Sequence, residues 1–587
     1  MTIKTVRRRS HATPGVWPDA VPELLQRIHA ARGAFGPDEA QPRLAHLLAP
    51  ELLGGLDRAT ELLDAAIAAQ GHIVVVGDFD CDGATACAVG VRGLRMLGAQ
   101  RVSYAVPNRV THGYGLSTHL VEDLAVLEPD LIVTVDHGIA CHAGIAAAKA
   151  RGWQVLVTDH HLPGPTLPSA DAIVNPNLVG DPFPSKMLAG VGVMFYVLLA
   201  LRRRFRDGGR FAAGREPDLS TLLDLVAVGT VADLVPLDQN NRALVAAGLR
   251  RLRSGHACAG LRALAEVAGR DMRVLTATDI GFAIAPRINA AGRLDDMSLG
   301  IACLLADDAT EARELASLLH QINSERRAVQ QQMTQDAESA LARVHLDAVS
   351  SAVVCLYDAA WHPGVVGLVA SRLKERLHRP AFAFAPAEPG SRQLRGSARS
   401  IPGFHIRDAL AAVDSAHPGL IERFGGHAMA AGLSLSVDAF PRFDAALRET
   451  ISRLLDPAML DAEITTDGEL QQDEFRRSIA ETLRDGGPWG QGYPEPLFDG
   501  QFEVLAWKVV AERHLKLEVA MGGLRLNAIE FGGWQGQAPT RRVHLAYRLE
   551  PDDYRGGDAV QLVIVHRQDL AAGDLPVEQS GASLLNC

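Results

Sequence analysis

The sequence predicts a multidomain α/β protein that ends in a small β-barrel. Its 587 residues are about four times the length of a typical domain. From about residue 55, short apolar runs alternate with Ala- and Leu-rich helical stretches, a pattern typical of βαβ units around a mostly parallel sheet. Roughly the last hundred residues instead hold five strand-like runs separated by Gly, Asp and Pro, which favours a barrel.

The first α/β segment, up to about residue 300, predicts one large domain with helical additions. Helix-like stretches lie at 57–69 and 84–99, on either side of the apolar run HIVVV at 72–76. Further apolar runs follow at 101–107, 131–136, 155–159 and 172–175. Because these runs are nearly continuous in Val, Ile and Leu, we expect strands that are buried on both faces.

A long helix is predicted next, because 308–344 contains no Gly or Pro and its apolar residues have helical spacing. A helix of that length would measure roughly 55 Å. We favour a helix that bridges two domains, since its polar face is rich in Gln, Glu and Arg; a helix that lines one core is the alternative. A second α/β segment follows, from about residue 352 to 455.

Composition and charge limit the class of protein. Hydrophobic residues make up 47% of the chain and charged residues 22%, which excludes global disorder, a collagen-like sequence and a pure coiled coil. The net charge of −11 comes from 58 basic and 69 acidic residues. Taken alone, this acidic surplus argues against non-specific binding to a polyanion.

The cysteines and the N-terminal segment indicate the compartment. The seven cysteines are scattered and form no CxxC pair, which favours a reducing cytoplasm over a disulfide framework or a structural zinc site. No apolar run approaches the roughly 18 residues that a membrane span needs. The basic start of the chain is not followed by an apolar core, so we expect no secretory signal. We predict that Arg7, Arg8 and Arg9 form a solvated tail.

The segment GDFDCDG at 77–83 carries the strongest chemical signal. It places Asp78, Asp80 and Asp82 at alternate positions directly after a predicted buried strand. Such crowding of anions costs Coulomb energy unless a cation is bound. The spacing is similar to the first half of a calcium loop, but that loop needs a glutamate where this chain has Val89. The pattern therefore indicates a site for a different cation.

Three further acidic residues end apolar runs, and histidines follow two of them: Asp136 with His137, Asp159 with His160 and His161, and Asp233. The carboxyl ends of parallel strands meet at one edge of a sheet, so these side chains can converge. Carboxylates combined with one or two imidazoles favour Mn²⁺ or Mg²⁺. With this many ligands, we predict two ions about 3.5–4 Å apart.

Taken in order, GDFDCDG, VDHG, TDHH and GTVAD resemble the motifs of the DHH phosphoesterase family. The first motif is similar to the form found in the RecJ-type single-strand exonucleases of that family. Further segments with this resemblance are PNRVTHGYGL (107–116), APRINAAGR (285–293), WHPGVVGLVASRL (361–373), GSARSIPGF (396–404), FGGHAMAAG (424–432) and PWGQGYPEPLF (488–498). The resemblance covers nearly the whole chain, from about Val21 to His566.

The resemblance implies a fold class and a set of domains. It is an α/β multidomain fold with a DHH-type parallel-sheet domain, a long bridging helix, a smaller DHH-associated α/β domain and a C-terminal OB-fold β-barrel. The predicted boundaries are 1–45 for an N-terminal helical extension, 46–305 for the DHH catalytic domain, 306–346 for the bridging helix, 347–456 for the DHH-associated domain, 457–570 for the OB fold and 571–587 for a disordered tail.

The resemblance also implies which residues hold two ions and act in catalysis. One ion would be bound by Asp80 and Asp136 with Asp78 beside it, and the other by Asp82, Asp136, His160 and Asp233. Asp159 would orient His160, and His161 would contact the phosphoryl group or the nucleophile. Many relatives place a His four residues before Asp80, where this chain has Val76, so Asp78 is the ligand that departs from the family pattern.

The same resemblance implies a pocket for a terminal 5′-phosphate, formed by Arg109, Arg287, Ser397 and Arg399, with Asn289 and His427 as further substrate contacts. The Gly-flanked loop of Ser397 and Arg399 offers backbone N–H groups, a hydroxyl and a guanidinium to an anion. Three alternatives stay open: Arg109 as a surface ion pair, Arg287 as a buried structural arginine, and His362 as either a substrate contact or a helix cap.

The implied function is a metal-dependent exonuclease that degrades single-stranded DNA 5′ to 3′ to mononucleotides, in DNA recombination and repair. Single-stranded DNA is the expected partner, and a single-strand-binding protein and a helicase are family expectations. We expect a cytoplasmic monomer with no membrane partner. The barrel's aromatic candidates for base stacking are Trp507, Tyr493 and Trp534, and for any one of them packing within the protein is the favoured alternative. The alternatives are a phosphodiesterase for short oligoribonucleotides or cyclic dinucleotides, and a non-catalytic replication-fork scaffold.

Overall fold

The computed structural model describes residues 4–10, 12–108, 112, 114–212, 214–294, 296–342 and 352–570. These residues form two compact units. The parallel-sheet unit contains the described parts of 10–326 and 478–496, and the barrel unit contains those of 1–9, 327–477 and 497–587. The predicted disordered tail at 571–587 lies outside the described residues.

The strands of the described residues are, in chain order, β1 (Thr5–Arg8), β2 (His72–Val76), β3 (Arg101–Ala105), β4 (Leu131–Val135), β5 (Gln154–Thr158), β6 (Ala172–Val174), β7 (Val354–Tyr357), β8 (Ala381–Pro386), β9 (Gln393–Arg399), β10 (Arg423–Gly426), β11 (Ala430–Ser436), β12 (Glu463–Thr466), β13 (Phe498–Val510), β14 (His514–Met521), β15 (Leu524–Glu530), β16 (Arg542–Pro551) and β17 (Val560–Asp569). The α-helices are α1 (Glu23–Ala30), α2 (Pro37–Ala40), α3 (Leu56–Ala68), α4 (Cys81–Met96), α5 (Thr118–Asp123), α6 (His142–Ala150), α7 (Gly190–Asp207), α8 (Leu223–Ala232), α9 (Gln239–Arg253), α10 (Ala259–Val267), α11 (Ala277–Asp279), α12 (Ala285–Leu294), α13 (Ser298–Leu305), α14 (Ala309–Ala342), α15 (Val366–Leu377), α16 (Ile406–Ala416), α17 (Phe440–Leu454) and α18 (Arg477–Asp485).

The parallel-sheet unit is built on a five-stranded sheet in the order β3-β2-β4-β5-β6. Every neighbouring pair is parallel. Val74 and Val76 on one face pack in a cluster with residues of α5 and α6, and Val75 on the other face lies next to Gly90 of α4. Both faces are thus covered, which explains the continuous Val and Ile runs and confirms the predicted parallel α/β fold.

The apolar run that ends at Asp233 is helical and not a strand. It forms α8, and Asp233 caps the C-terminal end of that helix. Helix α8 packs against α4 and α9, and its residues up to Thr230 are buried all round. Since a helix buried on every side carries no amphipathic pattern, its sequence cannot be told from that of a buried strand by periodicity alone.

The predicted long helix is observed as α14, which is 34 residues long. By residue number it begins in the parallel-sheet unit and continues into the barrel unit at Arg327. Ala316 and Leu319 of its first half are fully buried, and Ala337 of its second half packs in a cluster with Trp361. The predicted bridging helix is therefore confirmed, and residues 343–351 lie outside the described part of the chain.

The barrel unit contains a second five-stranded sheet in the order β10-β11-β9-β8-β7. Its strands β7 and β8 are parallel, and the other neighbours are antiparallel. Helix α15 packs on one face, against the alanines of β8, and α16 and α17 pack on the other face around Phe382 and Phe384. This is the smaller α/β domain that the sequence predicts.

The last five strands close into a barrel in the order β13-β14-β15-β17-β16. The pair β15 and β17 is parallel and the other neighbours are antiparallel. The five predicted strand-like runs correspond to these strands, so the predicted barrel is confirmed. A closed barrel leaves no free sheet edge.

The prediction of a solvated tail at Arg7–Arg9 is wrong. The segment contributes strand β1, which pairs in parallel with β12. The guanidinium of Arg8 donates to both carboxylate oxygens of the buried Asp499, from Nε at 3.1 Å and from Nη2 at 2.8 Å. A strand that pairs with residues more than 450 positions away leaves no local signal in the sequence.

Within the described part of the chain, no helix combines the length and apolar character that crossing a membrane requires.

Candidate metal centre

The first three candidate ligands lie in the turn from β2 into α4. Asp80 is the N-cap of α4, and its Oδ1 accepts a hydrogen bond from the Gly83 N–H at 3.0 Å. Asp82 lies in the first turn of the helix, and Asp78 lies in the preceding loop. A Cβ on Gly83 would come within 2.6 Å of the Asp78 backbone nitrogen, so the glycine is needed for the turn to pack this tightly.

Asp136 and His160 follow the two adjacent strands β4 and β5. Asp136 has a φ of 64°, a left-handed conformation that is uncommon for residues other than glycine. Asp and Asn tolerate that region better than most residues, and strained backbone of this kind concentrates at functional sites. His160 Nε2 lies 3.0 Å from Asp136 Oδ1 and 3.6 Å from Asp233 Oδ2. The ends of two strands and of α8 therefore meet at this point.

The potential ligand atoms form three overlapping groups, each with its atoms within 4.8 Å of one another. The groups are Asp78 with Asp80 and Asp136, Asp82 with His160 and Asp233, and Asp136 with His160 and His161. His160 and Asp136 each belong to two groups, so neighbouring groups share a ligand. The arrangement has the ligands and the overlap that a two-ion site requires.

Three buried atoms of this cluster make no hydrogen bond within the described residues: Asp78 Oδ1, Asp136 Oδ1 and His160 Nε2. Although the last two atoms are 3.0 Å apart, they do not bond each other. Leaving buried acceptors unpaired is costly unless another group binds them. Oxygen donors with one imidazole nitrogen are the ligand types that Mn²⁺ and Mg²⁺ use, so the residues present fit divalent cations.

The electrostatics of the carboxylates favour the binding of positive charge. Burial, and next the neighbouring Asp80, raise the pKa of Asp78 to about 7, and the same two causes raise the pKa of Asp233 to about 7. Burial and the surrounding carboxylates raise the pKa values of Asp82 and Asp136 well above their usual range. A bound cation would reverse these shifts because it stabilises the charged form.

Asp159 differs from the candidate ligands, because both oxygens of its carboxylate accept hydrogen bonds from the protein. Burial opposes its charge, but a hydrogen bond from His161 Nδ1 at 2.8 Å holds its pKa down at about 2. Burial also lowers the pKa of His161, yet the contact with Asp159 outweighs it and raises that pKa to about 9. The pair is thus charged on both sides at neutral pH.

This pairing corrects one expectation. Asp159 orients the ring of His161, while it contacts His160 only through the backbone N–H, at 2.7 Å. The reason is local: a side chain at the end of a strand reaches the residue two positions later more easily than its neighbour, which points to the other side. Burial and the charge of His161 lower the pKa of His160 to about 4, so its ring is neutral and free to act as a ligand.

The start of α7 is part of the site, although sequence reasoning missed it. The N–H groups of Gly190 and Val191 donate to the two carboxylate oxygens of Asp82, at 2.6 and 3.0 Å. A helix N-terminus favours negative charge and offers free N–H groups. A Cβ on Gly190 would lie 2.5 Å from the Asp136 Cβ, so only glycine fits. The glycines of LAGVGV at 188–193 are the signal that could have revealed this contact.

An aromatic side chain beside the centre was also missed. The ring of Tyr114 lies edge-on to those of Phe79, His137 and His161, with centroids 5.9, 6.5 and 6.5 Å away. It is 50% exposed and belongs to the segment PNRVTHGYGL. An exposed ring at the edge of a charged site offers a surface on which a base can stack.

The predicted substrate residues of this unit are engaged within the protein. Arg287 is 5% exposed, and its guanidinium contacts the Ala283 carbonyl and His320 Nδ1. Asn289 Oδ1 accepts a hydrogen bond from the Cys81 N–H at 2.8 Å. Arg287 therefore has the contacts of a buried structural arginine, and Asn289 fixes the start of α4. Arg109 lies outside the described residues.

Ser397 and Arg399 lie close together on β9 of the barrel unit. Arg399 Nη1 donates to Ser397 Oγ at 2.9 Å and to the Ala398 carbonyl at 2.8 Å. A Cβ on Gly367 would be 3.2 Å from Arg399 Nη2, so both side chains border the first turn of α15. Burial lowers the pKa of Arg399, which nevertheless stays charged. A hydroxyl, a guanidinium and helix N–H groups together suit an anion.

The two candidate histidines of the barrel unit, His427 and His362, make different contacts. His427 is exposed, and its N–H donates to the Ala430 carbonyl at 2.8 Å, in the turn between β10 and β11. His362 Nδ1 accepts from the Gly364 N–H at 3.0 Å, shortly before α15. Because the N-cap of α15 is Val365 and no side chain caps this helix, the contact stabilises the preceding turn, and both alternatives for His362 stay predictions.

The aromatic candidates for base stacking separate into two kinds. Tyr493 is 2% exposed, and its hydroxyl lies 2.6 Å from His29 Nδ1, so it packs within the protein and is not available to stack on bases. Trp507 is 43% exposed and stacks on Trp534, with ring centroids 5.5 Å apart. An aromatic ring that is buried within the protein cannot contact a base, whereas the exposed Trp507, stacked on the half-buried Trp534, can.

Comparison with protein families gives three matches along the chain. Residues 72–230 match the model described as "DHH family, N-terminal domain", 349–453 match the "DHHA1 domain" and 466–566 match the "RecJ OB domain". The first match contains most of the candidate ligands, and the second contains Ser397, Arg399 and His427.

Curated relatives and solved structures extend the match over almost the whole chain. The single-stranded-DNA-specific exonuclease RecJ of Dickeya dadantii is 48% identical, with 96% of this chain and 99% of that protein covered. The Escherichia coli protein of the same name is 47% identical, with 95% and 98% covered. The crystal structure of Thermus thermophilus RecJ in complex with Mn²⁺ is 32% identical, with a TM-score of 0.74 over 94% of this chain and 76% of that one. By identity and coverage, the chain belongs to the RecJ family of single-stranded-DNA-specific exonucleases.

Proposed function

We propose that this chain is a metal-dependent exonuclease that degrades single-stranded DNA from the 5′ end, 5′ to 3′, to mononucleotides. The observation that carries the proposal is the set of overlapping ligand groups at the ends of β2, β4, β5 and α8. The names of the relatives support the substrate, and the barrel supports a single-strand contact outside the centre.

The cofactors are divalent cations, Mn²⁺ or Mg²⁺, as in the RecJ structures that contain those ions. Asp78, Asp80 and Asp136 would hold one, and Asp82, His160 and Asp233 the other, with Asp136 shared between them. When bound, such a pair supplies an acidified water and neutralises charge on a phosphodiester. The raised pKa values of the carboxylates mean that ions must displace protons when they bind.

The protein's own groups then position the phosphodiester. His161, whose pKa is raised to about 9 by Asp159, carries a positive charge at neutral pH and is 43% exposed at its side chain. It can therefore attract a phosphoryl oxygen and hold the proton that the leaving 3′-oxygen needs. Asp159 keeps the ring in place through the 2.8 Å hydrogen bond. The N-terminus of α7 fixes Asp82 without any help from the ion.

The polarity of degradation would come from a terminal phosphate site. Ser397 and Arg399, beside the first turn of α15, have the chemistry to bind a 5′-phosphate, with His427 and Arg109 as further candidates. A site that binds only the 5′ end of the strand places each cleavage next to that end. Asn289 and Arg287 would contribute indirectly, by holding α4 and α12 in position.

The cellular setting belongs to the same proposal. We expect a monomer that acts in the cytoplasm in DNA recombination and repair, on strands supplied by a helicase and coated by a single-strand-binding protein.

The experiment compares 5′-labelled and 3′-labelled single-stranded DNA in Mn²⁺, for the wild type and Asp136→Ala. The wild type should release the 5′ label at once as a mononucleotide, and the 3′ label should stay in a shortening ladder. Asp136→Ala should fall to background, while Asp57→Asn, which changes an exposed carboxylate on α3, should keep full activity. Release that starts at the 3′ end, or an active Asp136→Ala, would contradict the proposal.

A further inference from the structure

The segment that follows β6 contacts the backbone of both histidines of the candidate centre. Asn177 Nδ2 donates a hydrogen bond to the His160 carbonyl at 2.6 Å, and Asn175 Nδ2 donates to the His161 carbonyl at 2.9 Å. Asn175 Oδ1 in turn accepts from the Asn177 N–H at 2.8 Å, so the two asparagines hold each other in place. Because Asn175 is fully buried, this arrangement fixes the turn that follows β5.

Asn177 also contacts the loop at 183–189, which leads into α7 and is called the α7 loop below. Its Nδ2 donates to the Lys186 carbonyl at 3.3 Å. The connection is reciprocal, because Lys186 Nζ donates back to the Pro176 carbonyl at 2.7 Å. The amide of asparagine has two N–H groups, so one side chain can bind both carbonyls and join the turn after β5 to the α7 loop.

Two further carbonyls of the α7 loop are bound by other elements. The Met187 carbonyl accepts from Nδ2 of the fully buried Asn241, on α9. The Leu188 carbonyl accepts a hydrogen bond from the ring of His160. Within the described residues Nε2 of that ring makes no hydrogen bond, so the donor is Nδ1. A proton fixed on Nδ1 leaves the lone pair of Nε2 available to a metal ion.

The α7 loop also determines the position of a second ligand. It ends at the N–H groups of Gly190 and Val191, which donate to the two carboxylate oxygens of Asp82. The loop therefore orients His160 through a carbonyl and Asp82 through two N–H groups. Both side chains belong to one ligand group, together with Asp233. The α7 loop is thus a support for the site of one particular ion.

An ordinary turn after a strand does not explain the contacts of Asn177. Asparagine in a turn typically binds backbone about two residues away, as Asn175 Oδ1 does. The two carbonyls that Asn177 binds are instead 17 and 9 positions away in the sequence, in His160 and Lys186. These are the contacts of a side chain that fixes two separate segments relative to each other.

We infer that Asn177 is a positioning residue for one of the two ions, because it holds the turn of His160 and the α7 loop together so that His160 and Asp82 face the same ion. The inference rests on the proposed function and deepens it, since it assigns a support to one ion site. Without this amide the two ligands would no longer be held in register. That ion should then bind more weakly, and the other ion should be affected less.

The test measures Mn²⁺ uptake by the metal-free full chain, with the free ion followed by electron paramagnetic resonance. The wild type should take up two ions. Asn177→Ala should bind one of them at least about tenfold more weakly and the other within about threefold. Gln26→Ala is the matched control, because it also removes a hydrogen bond from a side-chain amide to a carbonyl, of 2.8 Å, but on α1. It should bind Mn²⁺ like the wild type.

A second variant and two double variants separate positioning from a general loss of structure. Asn177→Leu keeps the approximate shape of the side chain without its N–H groups, so it should reproduce the loss without leaving a cavity. In a His160→Ala background, Asn177→Ala should weaken Mn²⁺ binding by less than about threefold further, because the ligand on which it acts is already absent. In an Asp78→Asn background, the full loss of about tenfold should remain.

Each outcome leads to a different conclusion. Wild-type Mn²⁺ uptake by both Asn177→Ala and Asn177→Leu would overturn the inference. So would equal losses in the His160→Ala and Asp78→Asn backgrounds, which would make Asn177 a support of the fold in general. A wild type that takes up two ions but leaves 5′-labelled single-stranded DNA intact would overturn the proposed function alone. A wild type that takes up no Mn²⁺ would overturn both.

Discussion

At the residue scale, the centre depends on one carboxylate in an unusual backbone conformation. Asp136, at a φ of 64°, turns its carboxylate toward His160, and the backbone of Gly190 packs directly against it. The sequence predicts the aspartate, because it ends an apolar run beside a His and a Gly. It does not predict the role of Gly190, because this glycine is distant from Asp136 in sequence and its effect comes from having no side chain.

We expect Gly190→Ala to lose divalent-ion binding. The new Cβ would lie 2.5 Å from the Asp136 Cβ and 2.7 Å from its Oδ1, so either the carboxylate or the start of α7 must move. Gly192→Ala, in the same turn, is the control: its nearest contact is the flexible end of Leu188 at 3.2 Å, and alanine favours a helix. Isothermal titration with Mn²⁺ should show at least a tenfold weaker affinity for Gly190→Ala only. Equal affinities in both variants would contradict the assigned role.

The raised pKa of Asp78 leads to a pH-dependent prediction. Its pKa is about 7 in the folded protein and near 3.8 in an unfolded chain, so the metal-free fold holds more protons between those values. The contribution of this group to stability is therefore lost as pH rises from about 4 to 7. Asp78→Asn carries no such charge. In EDTA, its melting temperature should exceed that of the wild type by a few degrees at pH 8 and match it near pH 4.

Thermal melts in EDTA and in Mn²⁺ provide the check on that prediction. Saturating Mn²⁺ should raise the melting temperature of the wild type at pH 8 more than that of Asp78→Asn, because the ion stabilises the ionised carboxylate. Asp57→Asn, at an exposed site, should follow the wild type at every pH. A difference between Asp78→Asn and wild type that does not vary with pH would exclude a raised pKa at this position.

At the element scale, a helix or strand can be predicted when the residues that determine it are close together in the sequence. The strands β2, β4 and β5 are predicted because each is a short Val- and Ile-rich run after a helix, and α14 because 34 residues lack any breaker. Strand β1 is missed, since TVRR has no apolar pattern and its partner β12 is remote in sequence. Elements whose stability comes from a distant partner give no periodic signal.

The missed strand predicts that Arg8 stabilises the barrel unit. Asp499 is 1% exposed and also accepts hydrogen bonds from Thr466 and His544, so the loss of Arg8 would leave a buried carboxylate with fewer donors. We expect Arg8→Ala to reduce the free energy of unfolding by roughly 1–3 kcal/mol. Arg7→Ala should cost under about 1 kcal/mol, because Arg7 is 70% exposed and its contact with Glu463 is 3.5 Å long. Urea denaturation measures both, and equal losses would contradict the assignment.

At the scale of the whole molecule, the acidic net charge no longer argues against a nucleic-acid substrate. Six of the 69 acidic residues belong to the candidate centre, where divalent cations would offset them: Asp78, Asp80, Asp82, Asp136, Asp159 and Asp233. The sequence predicts the fold class and these carboxylates, because strand ends and family motifs mark them. It does not predict the partner of the Asp159 side chain or the role of Asn289. Those depend on contacts between segments far apart in the chain.

The division into two units leads to the last prediction, which concerns where bound ions stabilise the protein. All three ligand groups lie in the parallel-sheet unit, and the barrel unit has its own sheet, core and barrel. Mn²⁺ at about 100 times its dissociation constant should slow amide exchange that occurs through opening of the parallel-sheet unit by about 100-fold for each ion bound. Peptides that cover 72–82, 131–139 and 154–161 should show this protection in hydrogen-exchange mass spectrometry, and peptides from 498–569 should not. Asp136→Ala should remove the effect. Comparable protection of the barrel in Mn²⁺ would mean that the two units open together, and would contradict a stabilisation confined to the metal centre.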